Sequence, residues 1–313
     1  MLFDAVGLGA LNMDQLHMVE RIAGPDEETF VRDTVESCGG SAANTIIGLA
    51  RLGLRTAFIG KVAADREGSI LRENLQGEGV ADYVAVSDEG RSGRVMGFVD
   101  PQGNRALYVD PGVNDTLSMD EVQEEALKTR LLHLTSFAGS GIRVQREVLE
   151  VIDDSVTVSL DPGHLYAERG ASELEGILER TDILLINRRE LELMTGSPDP
   201  ARASAELGVD VVVMKMGSEG VRAFDGSEVM VEALETTCRD TTGAGDAFNA
   251  GFLYAWLSGH GLEVSCLFGN YLASRCIEGY GATSSLPGRE ALEVLEGYLR
   301  GNVNSNTRGD SGK

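Results

Sequence analysis

Residues 182–215 read DILLINRRELELMTGSPDPARASAELGVDVVVMK. The segment opens on a short apolar, β-branched run, DILLI at 182–186. It closes on another, VDVVVM at 209–214. Between them, 188–195 carries helical periodicity. A continuous apolar strand is one covered on both faces, and two such strands joined through a helix pair in parallel. The same runs recur at 4–8 (DAVGL), 56–60 (TAFIG), 131–135 (LLHLT) and 155–160 (SVTVSL). Helical stretches at 41–52, 65–76, 142–152 and 171–180 alternate with them, and Gly53 stands where a left-handed cap ends the first. The expected fold class is α/β, with a mostly parallel central sheet and helices on both faces.

Two stretches, 15–37 and 83–110, break the alternation. They read as strands and turns, with a hairpin signal in DPQGN at 100–104. We expect them to form one small antiparallel sheet standing off the main domain, a lid over a site. The domain then runs over 1–300, with these lid segments inserted. The polar, Gly-rich tail 301–313 reads as disordered.

The chain has 313 residues, with 42% hydrophobic and 25% charged, which is ordinary globular usage. Its 27 basic and 50 acidic residues give a formal charge of −23, which argues against a general grip on nucleic acid. The N-terminus, MLFDAVGLGALNMD, lacks a basic n-region, and no apolar run reaches membrane-span length. Cys38, Cys238, Cys266 and Cys276 form no CxxC pair, and the four His do not cluster near them, so a zinc site is not expected. The expectation is a soluble cytoplasmic protein with free thiols and no membrane partner.

In open α/β sheets, ligands bind beyond the carboxyl ends of the strands. Small and polar residues recur there: Asn12 and Asp14 after the first run, Asp161-Pro162-Gly163 after 155–160, Asn187 and Glu190 after 182–186, and Lys215, Gly217 and Gly220 after 209–214. The most informative segment is 240–253, DTTGAGDAFNAGFL. Gly243, Ala244 and Gly245 precede an apolar-striped helix, as in a phosphate cradle. Asp246 inside such a cradle makes sense as a base taking a proton from an attacking hydroxyl. Its alternative is an acid favoured at a helix N-terminus by the macrodipole. In CGGSAANTIIGLARLG, 38–53, Gly39 and Gly40 would let a polyol approach the backbone, and Asn44 would hydrogen-bond its hydroxyls. A tight turn capped by Ser41 explains the same residues. No GxxxxGK[ST] is present, and GLGALN at 7–12 lacks the third Gly and the helix of a dinucleotide fingerprint. A dehydrogenase is disfavoured on that ground.

Together these segments resemble the ribokinase/PfkB family of carbohydrate and nucleoside kinases, in motif order from residue 4 to about 295. GGSAANTIIGLARLG (39–53) is similar to the family's N-terminal signature, and DTTGAGDAFNAGF (240–252) to its C-terminal one. NRRE at 187–190 and KMGSEG at 215–220 fit the elements between. The resemblance implies a ribokinase-like fold and transfer of the ATP γ-phosphoryl group to a hydroxyl of a small sugar. Asp246 would be the catalytic base, and the backbone of Gly243, Ala244 and Gly245 the anion hole. Asp14, Gly39, Gly40, Asn44, Asn12 and Arg105 would hold the acceptor. Asn187, Lys215, Gly217, Gly220 and Gly281 would bind the nucleotide. Glu190 would organise Mg²⁺, largely through water, and Asp240 with Thr242 would serve a monovalent cation, K⁺ being the candidate. The lid would make a homodimer contact. Nucleosides and sugar phosphates are the competing acceptors. A non-catalytic sugar or nucleotide sensor is the remote alternative, disfavoured because Asp246 and its cradle are present.

Overall fold

The computed structural model describes residues 2–300; the tail expected to be disordered lies outside the described residues. In chain order the elements are β1 (Phe3–Leu8), β2 (Asn12–Val19), β3 (Val31–Gly39), α1 (Ser41–Arg51), β4 (Thr56–Ala63), α2 (Arg66–Gly77), β5 (Ala81–Ser87), β6 (Gly93–Val99) and β7 (Arg105–Asp110). There follow β8 (Thr129–Thr135), α3 (Ile142–Val151), β9 (Thr157–Asp161), α4 (Gly163–Arg169), α5 (Glu175–Leu178), β10 (Ile183–Asn187), α6 (Arg188–Thr195), α7 (Pro200–Leu207) and β11 (Val211–Lys215). The last are β12 (Val221–Phe224), β13 (Glu228–Val231), α8 (Ala244–Leu257), α9 (Leu262–Cys276) and α10 (Leu292–Leu299).

Nine strands form one sheet in the order β13-β12-β11-β10-β9-β8-β1-β4-β5. All pairs from β11 to β5 are parallel, so their carboxyl ends share one edge. Only β12 and β13 run antiparallel. Two cores follow from the alternation of side chains. Ala5, Leu131, Leu185 and Val213 pack with α1, α8 and α9 on one face. Leu8, Leu134, Leu160 and Leu184 pack with α3, α6 and α7 on the other. The helix α1 ends in a Schellman motif, in which Gly53 N–H donates to Ala50 O and Leu54 N–H to Leu49 O. Gly53 has φ +100°, as its place there requires. No helix among the described residues is long and apolar enough to cross a membrane.

A second sheet of four strands, β3-β2-β6-β7, stands apart. Its hairpin closes over 99–105, where DPQGN was expected to turn. Three details of the expected lid are corrected. The sheet begins at Asn12 and Gly93 rather than at 15 and 83. Its β2–β6 pair is parallel, so it is not wholly antiparallel. Residues 83–87 belong to β5, which pairs with β4 at the edge of the main sheet, and Tyr83 packs edge-on against Phe3. The helix expected over 171–180 is a 3₁₀ turn, Ala171–Leu174, followed by the single turn of α5.

Candidate active site

The strand order reverses at β1, whose neighbours are β8 and β4. A reversal of this kind opens a crevice at the carboxyl edge. There an open cleft is lined by Ala10, Gly40, Ser41, Thr135, Ser136, Asp161 and Gly163 around the ends of the main-sheet strands, and by Asn12, Val95 and Val109 from the lid.

Two carboxylates stand buried beside it, behind Gly40 and Ser41. Asp246 sits in the first turn of α8, buried, and its Oδ2 accepts from Asn44 Nδ2 at 2.8 Å. Burial pushes its carboxyl up to about 6, against the Asn44 hydrogen bond that lowers it. Asp161 pushes the same way as burial, while Lys215 and Ser41 oppose it. Asp14 reaches in from β2. Burial, with the Asp246 charge adding, pushes it up to about 7. Asp14 fits only because Gly39 has no side chain: a Cβ there would stand 2.2 Å from Asp14 Oδ2. At Gly40, φ is +124° and a Cβ would meet Ala10 O at 2.3 Å. Carboxyls poised near neutrality in a cleft mark a functional site.

The residues expected to form a cradle stand at the N-terminus of α8. Gly243 caps α8 at φ +77°, and a Cβ there would lie 2.4 Å from Ala282 Cα. Among the described residues, the N–H groups of Gly243 and Gly245 have no acceptor, while Ala244 N–H is engaged by Thr241 O at 3.2 Å. The loop is fastened by Asp240. Its Oδ1 accepts from Thr242 N and Oγ1, and its Oδ2 from Gly281 N–H at 2.8 Å. These bonds hold its carboxyl below the usual range against the burial that raises it, and the charge of Arg105 adds to them. Arg105 itself is exposed at the start of β7 and is not among the residues that line the cleft.

Of the residues expected to serve the nucleotide and Mg²⁺, Asn187, Glu190, Lys215, Gly217 and Gly220 stand at or just beyond the ends of β10 and β11. Asn187 and Glu190 form a capping box on α6: Asn187 Oδ1 accepts from Glu190 N–H at 2.9 Å, and Glu190 Oε2 from Asn187 N–H at 3.0 Å. Burial raises the Glu190 carboxyl, and Asp161 adds to it. Gly217 has φ +60° and Gly220 φ +90°, the latter under Val231 O, where a Cβ would lie 2.0 Å away. Lys215 Nζ donates to Asp161 Oδ2 at 2.7 Å and to Asn249 Oδ1 at 3.1 Å. No group of three or more His, Cys, Asp or Glu side chains among the described residues is arranged to hold a metal. A hard cation carried by phosphates and water, with Glu190 nearby, fits that donor set; a protein-built cage does not.

Sequence reasoning missed several supports. Asn114 is buried and clamps Leu11 through N–H and C=O, while its Nδ2 donates to Asn12 Oδ1 at 2.9 Å. Arg51 ties the loop over 283–286 to α1, donating to Thr283 O and Leu286 O and pairing bidentately with Glu78. Cys276 Sγ lies under the cradle, 3.6 Å from Thr242 O and 3.4 Å from Ala282 O. His133 is fully buried in β8. Its Nδ1 meets Ser159 Oγ at 2.9 Å, but its buried Nε2 has no partner among the described residues. The fingerprint-like GLGALN leads into β2, not a helix, and Gly9 there lets Thr135 and Ala42 close in.

Residues 3–289 match the pfkB family of carbohydrate kinases. A protein of Archaeoglobus fulgidus described as an uncharacterized sugar kinase is 46% identical over 77% of this chain and 98% of its own length. An ATP-dependent ribose-1-phosphate kinase of Halopiger xanaduensis is 30% identical over 84% of this chain and 88% of its own. The structure of Arabidopsis thaliana ribokinase complexed with ribose and ATP superposes with a TM-score of 0.83, at 27% identity, over 95% of this chain and 99% of that one. With a ribokinase fold, a glycine cradle before α8 and a buried acid in its first turn, the chain belongs to the pfkB family of carbohydrate kinases and is an ATP-dependent phosphotransferase.

Proposed function

We propose that the chain transfers the γ-phosphoryl group of ATP to a hydroxyl of a small neutral sugar, with Asp246 as the base. The observation that carries this is the place of Asp246. It is buried in the first turn of the cradle helix, oriented by Asn44, and held near a pKa of 6. A group so poised takes a proton near neutral pH, and such a base contributes ~10²–10⁴-fold. The free N–H groups of Gly243 and Gly245 would receive the transferring oxygens, worth about 10²–10³-fold for one donor of this kind. Asp14, Asn12 and Asn44 would fix the acceptor's hydroxyls, since positioning supplies most of phosphoryl-transfer catalysis. Mg²⁺, held by phosphates and water beside Asn187 and Glu190, supplies charge neutralisation when bound. Asp240 and Thr242 are the candidates beside a K⁺ ion.

The cleft favours a neutral acceptor. None of its lining residues is Lys, Arg or His; Asp161 lines it, and Asp14 and Asp246 stand buried behind it, against Gly39 and Ser41. A phosphate on the acceptor, as in the name of the Halopiger relative, would need a cation there, and the lining residues supply none. A nucleoside is the second reading, because Val95, Val109, Pro111 and Leu165 offer an apolar wall for a base. The lid would exclude water. Val35 and Leu107, 48% and 58% exposed, share its site-facing side with Leu16, and a second copy covering them would give a homodimer. Four free cysteines suit the cytoplasm. The test is ADP release with ATP and Mg²⁺ across neutral sugars, nucleosides and sugar phosphates. Turnover on neutral sugars, lost in Asp246→Asn with ATP binding kept, is expected. Full turnover in the folded variant would refute the base.

A further inference from the structure

The face of the sheet under α8 is apolar from Leu131 to Val213, yet three polar side chains meet on it close to the cleft. Asp161 ends β9, Lys215 ends β11, and Asn249 lies in the second turn of α8. They form a closed triangle. Lys215 Nζ donates to Asp161 Oδ2 at 2.7 Å and to Asn249 Oδ1 at 3.1 Å, and Asn249 Nδ2 donates to the same Asp161 Oδ2 at 2.7 Å. Each bond fixes the next, so the amide of Asn249 has one usable orientation and the ammonium one seat.

An ammonium has three donors. Two are spent inside the triangle. Nζ also stands 3.5 Å from the point a Cβ on Gly245 would occupy, so it lies against the first turn of α8. There the Gly245 N–H has no acceptor among the described residues. The ammonium and that N–H thus both lie at the first turn of α8. A buried ion pair is poor value as a source of stability, since apolar residues of like volume do as well or better. Its use is a charge kept in one position.

We infer that Asp161 and Asn249 are positioning residues that hold the Lys215 ammonium for the γ-phosphoryl group of the nucleotide, beside the N-terminus of α8. This rests on the proposed phosphoryl transfer and assigns Lys215 within it. The lysine senses the third phosphate rather than the nucleoside or the first two. Asp161 acts only through it.

The test compares binding of Mg²⁺ with β,γ-imido-ATP and with ADP by calorimetry, in wild type, Lys215→Met, Asp161→Asn and the double variant. Lys215→Met should bind the imido analogue at least about tenfold more weakly and ADP within about twofold. Its kcat should fall by about 10²–10³, as for loss of one anion-hole donor, with acceptor KM little changed. Asp161→Asn should show the same selectivity at smaller size and add nothing in the Lys215→Met background. The double variant carries no unpaired buried charge, so it reports even where Lys215→Met alone does not fold. Equal losses for ADP and the analogue, or additive effects of the two substitutions, overturn the inference. Selective loss of the analogue in a wild type that turns over no sugar or nucleoside supports it, and counts only against the acceptor reading.

Discussion

Replacing Asp246 by Asn should abolish turnover and stabilise the protein at alkaline pH. The carboxyl is raised from its ordinary 3.8 to about 6 by burial, which outweighs the Asn44 hydrogen bond. A carboxyl raised in this way holds its proton more tightly in the folded state than in the unfolded chain. Its contribution to stability is complete below pH 4 and is lost as pH rises through 6. The difference of about 2.2 in pKa, at about 1.36 kcal/mol each, makes the loss about 3 kcal/mol by pH 8. Asparagine keeps the shape, still accepts from Asn44, and never ionises. Removing the charge also relieves Asp14, which Asp246 helps to raise. For 313 residues the unfolding entropy is about 0.66 kcal/mol/K, so 3 kcal/mol corresponds to about 4–5 °C in Tm. Scanning fluorimetry at pH 8 and pH 4.5, with the coupled assay alongside, measures both effects. The variant should melt about 4–5 °C higher at pH 8 but only about 1–2 °C higher at pH 4.5, where about 1 kcal/mol of the loss has developed. An acid favoured by the helix macrodipole predicts the opposite sign, a loss of about 0.3–1 kcal/mol at pH 8. A lower Tm at pH 8, or a difference that does not depend on pH, would refute the reasoning from burial.

Three other perturbations separate the parts of the site. Gly39→Ala puts a Cβ 2.2 Å from Asp14 Oδ2 and should raise acceptor KM at least about tenfold, with ATP KM within about twofold, in steady-state kinetics. Arg51→Ala frees Thr283 O and Leu286 O and leaves Glu78 without its partner, so ATP KM should rise several-fold while acceptor KM stays put; the reverse split would remove this loop from the nucleotide side. Leu107→Glu places a charge on the exposed apolar side of the lid and should convert a dimer to a monomer by light scattering at micromolar protein; an unchanged mass would move the contact elsewhere.

The alternating fold was legible because each central strand is covered on both faces, and a doubly buried strand is written as a continuous apolar run. Residues 183–186 and 211–214 are buried throughout. The edge strand β5 was not legible for the same reason. Only Val84 is buried in it, so its sequence looks like that of a lid strand, and its place in the main sheet depends on β4. The parallel β2–β6 pairing is likewise non-local, since β4 and β5 of the other sheet lie between the two strands in sequence. The cradle was legible because its glycines, its acid and its helix are contiguous. Its supports were not, because their partners are distant: Asp161 is 54 residues from Lys215, and Asn12 is 102 from Asn114.

Register makes that distant chemistry converge. Opposed residues of a parallel sheet share a face, and His133 stands opposite Ser159, Thr135 opposite Asp161, and Asn187 opposite Lys215. Two residues earlier on the same strands and face lie Leu131, Leu185 and Val213, all apolar and fully buried. The face under α8 therefore changes from hydrocarbon to hydrogen-bonding groups within one or two steps of the carboxyl edge. His133 is the lowest of these, and burial above all pushes it down to about 4, so it is neutral. Above it, Asp161 and Lys215 cancel one another. The polar layer thus brings no net charge beneath Asp246. That leaves burial as the main influence on the Asp246 carboxyl, and burial is what holds it near neutrality. A one-residue slip in β9 would turn Asp161 to the opposite face and leave the ammonium of Lys215 without its counter-charge. The pairing of β8, β9, β10 and β11 thereby fixes the electrostatics of the site as well as the fold.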